Sequence, residues 1–187
     1  MKSFPMFLKM SGRRVVIAGG GEQAAQKARL MLKTEATLVF LAPELDDELR
    51  AIVAEGRASH DPHPATPDSF ADTALVFIAS GNADRDELLH GFAKQAGATV
   101  NVVDRPDLCD VTTPSIVDRD PVVVAIGTEG AAPVLARRLK TEFEQLLDPR
   151  LGSFAALARR LRGSGAQKVP QRKRPHVWRW GVDSAPR

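Results

Sequence analysis

The segment Gly19-Gly20-Gly21-Glu22-Gln23-Ala24 constrains this chain more than any other. It follows RVVIA at residues 14–18, a β-branched run of the kind buried in a parallel strand. It leads into residues 22–33, where Ala24, Ala28, Met31 and Leu32 share one helical face. A strand, a G-x-G-x-x-A turn and a helix in that order have a physical logic. Gly19 allows a tight turn out of the strand, Gly21 lets the backbone approach a pyrophosphate with no Cβ in the way, and Ala24 lets helix and strand pack closely. The helix N-terminus then presents free N–H groups and a partial positive charge to phosphates. The bland alternative is a tight turn without a ligand.

The pattern continues in the same alternation. TLVFLA at 37–42 predicts a second strand, stopped by Pro43, and 45–55 a helix ended by Gly56. A short strand at 58–60 and a strong one at 74–79 (ALVFIA) follow. Residues 84–95 predict a helix with Leu88, Leu89, Phe92 and Ala96 on one stripe and Gly97 as its stop. TVNVV at 99–103 is the last strand of the series and ends at Asp104. Strands alternating with helices imply an α/β Rossmann domain over residues 1–112, a parallel sheet with helices on both faces. Beyond it, strands at 113–117 and 122–126 are joined by Asp118-Arg119-Asp120-Pro121, and Pro133 opens a helix to 147. A helix over 150–162 is expected to end at Gly163-Ser164-Gly165, leaving a basic, proline-containing tail at 167–187. The reading divides the chain at 112 and 148, into a nucleotide domain, a hairpin-plus-helix segment and a short helical C-terminal region.

Two carboxylates stand where ligands bind in such sheets, at the carboxyl ends of strands. Glu44 lies just beyond the second strand, where an acid commonly takes a ribose hydroxyl; a solvated surface glutamate is the alternative. No Arg or Lys falls between Lys33 and Arg50, so nothing local awaits a 2′-phosphate, which favours NAD over NADP. Asp104 directly follows TVNVV, where it can accept a proton or hold a metal ion, or else cap the next turn.

Charge and cysteine content narrow the setting. Residues 1–104 carry 11 Lys+Arg against 14 Asp+Glu, and residues 105–187 carry 15 against 9, so the net charge of +3 conceals halves of −3 and +6. The basic half suits an anionic partner. Cys109 is the one cysteine, which excludes an intramolecular disulfide and a cysteine zinc site and suits a reducing cytoplasm. No apolar run approaches the ~18 residues of a membrane span. His60 and His63 have an H-x-x-H spacing, but in a proline-bearing loop this reads as two bystanders.

Several stretches together resemble the precorrin-2 dehydrogenase module of siroheme synthases: FPMFLKMSGRRVVIAGGGEQAAQKARLML, VFLAPEL, NVVDRPDLC, TPSIVDRDPVVVAIGTEG and APVLARRLK. They run in one collinear order over about residues 3–160. The resemblance implies NAD-dependent oxidation of precorrin-2 to sirohydrochlorin, with ferrous iron insertion as a second activity of some members. It matches Asp104 to the family's essential aspartate and, for the chelatase step, to a metal contact. It places NAD at Gly19, Gly20, Gly21, Glu22, Gln23, Pro43 and Glu44. It implies a homodimer formed through the TPSIVDRDP hairpin and the APVLAR helix. Precorrin-2 carries eight carboxylates, so Arg105, Arg119 and Arg137, with Ser115 and Thr128, are the expected substrate contacts, and no nucleic acid or membrane partner is expected. Some members carry a phosphorylatable serine at the position of Thr128; here Gly127 and Glu129 depart from the usual Ser and Gly around it. That departure and the short C-terminal region keep a second reading open, a non-catalytic NAD- or tetrapyrrole-binding module.

Overall fold

The computed structural model describes residues 2–168. The described residues form two compact units that divide between Thr112 and Thr113. In the first, β1 (Arg14–Ala18), α1 (Glu22–Met31), β2 (Thr37–Leu41), α2 (Asp47–Ala54), β3 (Ala58–Asp61), β4 (Thr73–Ile78), α3 (Ala83–Gln95) and β5 (Val100–Val102) alternate along the chain. The five strands are all parallel, in the order β3-β2-β1-β4-β5. The chain winds outward from β1 to β3, then returns to the other side of β1 for β4. The strand order therefore reverses between β1 and β4, where such sheets open a crevice at their carboxyl ends.

The period of two in the strands sorts the core into two layers. Val15 and Ile17 of β1, Leu38 and Phe40 of β2, and Leu75 and Phe77 of β4 face α1 and α2, meeting Ala24, Ala25, Ala28, Leu49 and Ile52. Val16, Ala18, Leu41, Val76 and Ile78 face the other way, against Leu89 and Ala93 of α3 and Phe70 of the 3-10 turn Pro67–Phe70. Because both faces are covered, the strands read as continuous apolar runs rather than alternating ones. Three alanines on α1 let that helix lie close to the sheet, as the G-x-G-x-x-A spacing requires.

Several element ends differ from expectation, each for a local reason. α2 starts at Asp47 rather than at residue 45, because the Asp46 carboxylate accepts the Leu49 N–H at 2.9 Å and caps the helix. Asn82 caps α3 in the same way through the Arg85 N–H. On α3 the buried residues are Asp86, Leu89 and Ala93, and Leu88 is 57% exposed. Neighbouring helical residues point about 100° apart, so Leu88 and Leu89 cannot both meet the sheet. β5 stops at Val102 because the chain turns at Asp104, whose φ of 59° lies outside the extended region.

The second unit holds an antiparallel hairpin, β6 (Ser115–Arg119) and β7 (Val122–Ile126), followed by α4 (Pro133–Leu146) and α5 (Leu151–Lys168). The Arg119 guanidinium donates to the carbonyls of Glu144 at 2.9 Å and Leu147 at 3.3 Å, supplying partners to the end of α4. Gly152 permits a close crossing: a Cβ there would stand 2.2 Å from the Asp120 carbonyl oxygen. α5 does not end before Gly163 and Gly165 but runs through them, since glycine weakens a helix without removing a hydrogen-bond donor as proline does. The rest of the basic tail, from residue 169, lies outside the described residues. Among the described residues no helix is long and apolar enough to cross a membrane.

Candidate functional site

The glycine loop is held by backbone contacts that exclude any side chain at two of its three positions. Gly19 has φ 153°, and a Cβ on it would lie 2.2 Å from the carbonyl oxygen of Ala79, beyond β4. Its N–H donates to the Leu41 carbonyl at 3.1 Å, which ties it to the end of β2 as well. Gly20 sits under the segment after β2: a Cβ would be 1.9 Å from the Glu44 carbonyl, and the Gly20 carbonyl accepts the Asp46 N–H at 2.8 Å. Gly21 differs. It is the N-cap of α1, no side chain caps the helix, and a Cβ at Gly21 would meet nothing within 4 Å. The first-turn N–H groups of α1 therefore face open space with a backbone smooth enough for close approach, which fits a pyrophosphate.

Beside this loop, Gly19, Gly20, Ala42, Pro43, Glu44, Ser80 and Arg85 line an open crevice of about 270 Å³. The structure thus brings Pro43 and Glu44 to the glycine loop. The Glu22 side chain turns away along α1, accepting from Arg29 at 3.0 Å and Gln26 at 3.2 Å; the Arg29 cation lowers its pKa. What Glu22 offers a ligand at the loop is its backbone. Sequence reading missed Ser80 and Arg85. Ser80 follows the carboxyl end of β4, next to β1, and its hydroxyl donates to the buried Asp86 at 2.6 Å while its N–H reaches the same oxygen at 3.2 Å. The available signal was position: the residues just beyond a strand adjacent to β1 fall at the crevice in this topology.

Asp104 meets the same helix. The side chain of Gln23, in the first turn of α1, donates to Asp104 Oδ2 at 3.3 Å. The 3-10 turn that follows, Pro106–Leu108, has Arg105 as its N-cap and no side-chain capping bond, so the Asp104 carboxylate is directed to α1 rather than spent on that turn. Lys27, one helical turn beyond Gln23, lies over the Phe77 ring at 5.4 Å. Burial lowers its pKa, and the nearby Asp104 carboxylate opposes that shift. Cys109 spans the turn: its sulfur accepts the Val102 N–H at 3.2 Å and lies 3.2 Å from the carbonyls of Val102 and Arg105. The left-handed backbone at Asp104 is thus held on both sides by packed or bonded neighbours, the setting in which a non-glycine residue keeps such a conformation.

The expected substrate contacts have varied surroundings. Arg105 is clamped by Glu87 and Asp107, both at 3.1 Å, which raise its pKa further. Ser115, Arg119, Thr128 and Arg137 all belong to the second unit. Ser115 opens β6 opposite Ile126, Arg119 serves the end of α4, and the Thr128 carbonyl accepts the Ala131 N–H at 2.9 Å. Arg137 is exposed on α4, and its neighbour Arg138 pairs with Glu142 at 2.9 Å. His60 and His63 are separately engaged, His60 with the Ala42 carbonyl and His63 with Asp61, both at 2.8 Å. Among the described residues no cluster of three or more His, Cys, Asp or Glu is placed to hold a metal ion.

The chain is 35% identical over 170 residues to the siroheme synthase of Psychrobacter cryohalolentis, covering 91% of this chain and 32% of that protein. It is 40% identical over 167 residues to siroheme synthase 2 of Aeromonas salmonicida, covering 89% and 34%. The chain thus spans about a third of the length of these curated relatives. Among solved structures, "SirC, precorrin-2 dehydrogenase" shares the fold with a TM-score of 0.79 over 97% of this chain and 90% of that one, at 20% identity. A family model described as "Putative NAD(P)-binding" matches residues 6–115, the span that contains the glycine loop, the crevice and Asp104, and the chain belongs to that NAD(P)-binding family.

Proposed function

We propose that this protein oxidises precorrin-2 to sirohydrochlorin in siroheme biosynthesis, using NAD, and that Asp104 is its proton acceptor. The observation that carries the reading is the 3.3 Å contact between Gln23 and Asp104, which sets a carboxylate beside the first turn of the dinucleotide-binding helix. The oxidation removes a hydride and a proton from the substrate. Bound NAD supplies the hydride acceptor. The chain's own residues do the rest. Gly19–Gly21 and the start of α1 hold the pyrophosphate, Pro43 and Glu44 take the adenosine end, and a carboxylate oxygen of Asp104 receives the proton and passes it to solvent. The siroheme synthase relatives and the fold shared with a precorrin-2 dehydrogenase support this substrate. Ferrous iron enters only as a second substrate, with Asp104 as the carboxylate that would assist its insertion.

The same reading includes a homodimer acting in the cytoplasm. α4 leaves Val134 and Leu135 71% and 49% exposed, which suits burial against a second copy. Arg137 and Arg138 on the same helix, with Ser115 and Thr128, supply donors for a substrate with eight carboxylates.

The test is optical. Precorrin-2 and NAD incubated with the protein yield sirohydrochlorin absorbance, and Asp104→Asn lowers the rate about 100-fold or more, in line with loss of a general base. Unchanged turnover in Asp104→Asn, or no NAD-dependent product from the unaltered protein, overturns the assignment. Sirohydrochlorin with ferrous ion and no NAD tests iron insertion separately.

A further inference from the structure

Arg85 is in the wrong place for a helix stabiliser. It lies in the first turn of α3, with its N–H bonded to the Asn82 cap at 2.9 Å. The N-terminal end of a helix carries partial positive charge and favours anions, as the flanking Asp84 and Asp86 illustrate. A guanidinium there is unfavourable unless something else uses it. Elsewhere in this unit Arg29, Arg50 and Arg105 are tied to carboxylates, whereas among the described residues the Arg85 guanidinium makes no hydrogen bond or ion pair. It lines the crevice instead, with Pro43 and Glu44 from the end of β2.

The end of β2 is where Rossmann domains read the adenosine ribose, an acid taking the 2′-hydroxyl and an arginine the 2′-phosphate. This crevice contains one of each. Glu44 and Arg85 share it without forming an ion pair, so neither neutralises the other and both remain available to a ligand. The wall that carries Arg85 is firm, because Ser80 at its base is anchored twice to the buried Asp86. A phosphate on the ribose meets a planar fork of donors matched to its oxygens.

We infer that Arg85 is a specificity-determining residue and that this crevice accepts a 2′-phosphorylated dinucleotide as well as the unphosphorylated form. The inference rests on the dinucleotide-binding reading above. It extends the expectation of NAD, drawn from the absence of Arg and Lys between residues 33 and 50, because a cation arrives from a different strand–helix connection.

The test is isothermal titration of the full chain with NAD and with NADP, for the unaltered protein and for Arg85→Gln, Arg85→Lys and Glu44→Gln. The readout is the ratio of the two affinities. In the unaltered protein NADP binds within about tenfold of NAD, and Arg85→Gln lowers the NADP-to-NAD affinity ratio by about tenfold or more, the loss expected for one charge-assisted contact. Arg85→Lys restores much of the ratio, and Glu44→Gln shifts it towards NADP. NADP binding about 100-fold weaker than NAD, or Arg85→Gln moving both affinities equally, overturns the inference while leaving NAD binding intact. Binding of neither dinucleotide overturns both this inference and the proposed use of NAD.

Discussion

At the scale of single residues, the three loop glycines have different reasons to be glycine, and substitution separates them. Gly20 lies under the Glu44 carbonyl, where a Cβ would stand at 1.9 Å, so Gly20→Ala must displace backbone. It is expected to destabilise the fold by about 2 kcal/mol or more, the scale of overpacking, visible as a lower Tm without ligand. Gly21 faces open space, so Gly21→Ala leaves the unliganded Tm within about 1 kcal/mol of the original stability. Its Cβ instead enters the path of a pyrophosphate and weakens dinucleotide binding by about tenfold or more, measured by titration. Equal stability losses for both variants would refute the distinction. Asp104 shows a related division: its position after a buried strand was legible in the sequence, but its left-handed backbone and its contact with Gln23, 81 residues earlier, arise only on folding.

At the scale of elements, short side chains decide where helices begin. Asp46 and Asn82 cap α2 and α3, and Asp148 organises the connection between α4 and α5. The Asp148 carboxylate accepts from the Arg150 side chain and backbone, and these bonds lower its pKa from 3.8 to about 2. A carboxyl depressed in the folded state contributes stability above its unfolded value and loses it as pH falls through the folded one. Asp148 thus contributes fully above about pH 4, and its contribution fades between 3.8 and about 2. Urea titrations of the unaltered chain and Asp148→Asn therefore differ in midpoint at neutral pH and converge near pH 2. A difference that persists at pH 2 would show that the bonds to Arg150 are not its source. Element interiors were legible because apolar periodicity marks them. Their ends were less so, because a cap is a single polar residue whose partner N–H exists only once the helix turns.

At the scale of the molecule, the chain places an acidic nucleotide unit before a basic second unit. Among the described residues of the second unit, the buried apolar side chains are Val117 and Ala136, while Val134, Leu135 and Leu146 are exposed on α4. With a chain mass of 20.2 kDa, light scattering is expected to give twice that value for the unaltered protein, and Leu135→Glu shifts the population towards monomer. A monomer for the unaltered chain at micromolar concentration would count against dimerisation through this helix.

The sequence by itself determined the alternation of strands and helices, the parallel class of sheet, the glycine turn and the candidate aspartate. These depend on local apolar periodicity and on backbone freedom at named positions, which neighbours in the chain are enough to specify. Tertiary structure alone decided which distant residues complete the crevice. Winding the chain out to β3 and back to β4 sets Ser80 and Arg85 in one crevice with Pro43 and Glu44, and the turn after β5 meets the start of α1, joining Gln23 to Asp104. No local pattern encodes those meetings, because they are products of strand order, which arises only when the whole sheet is assembled.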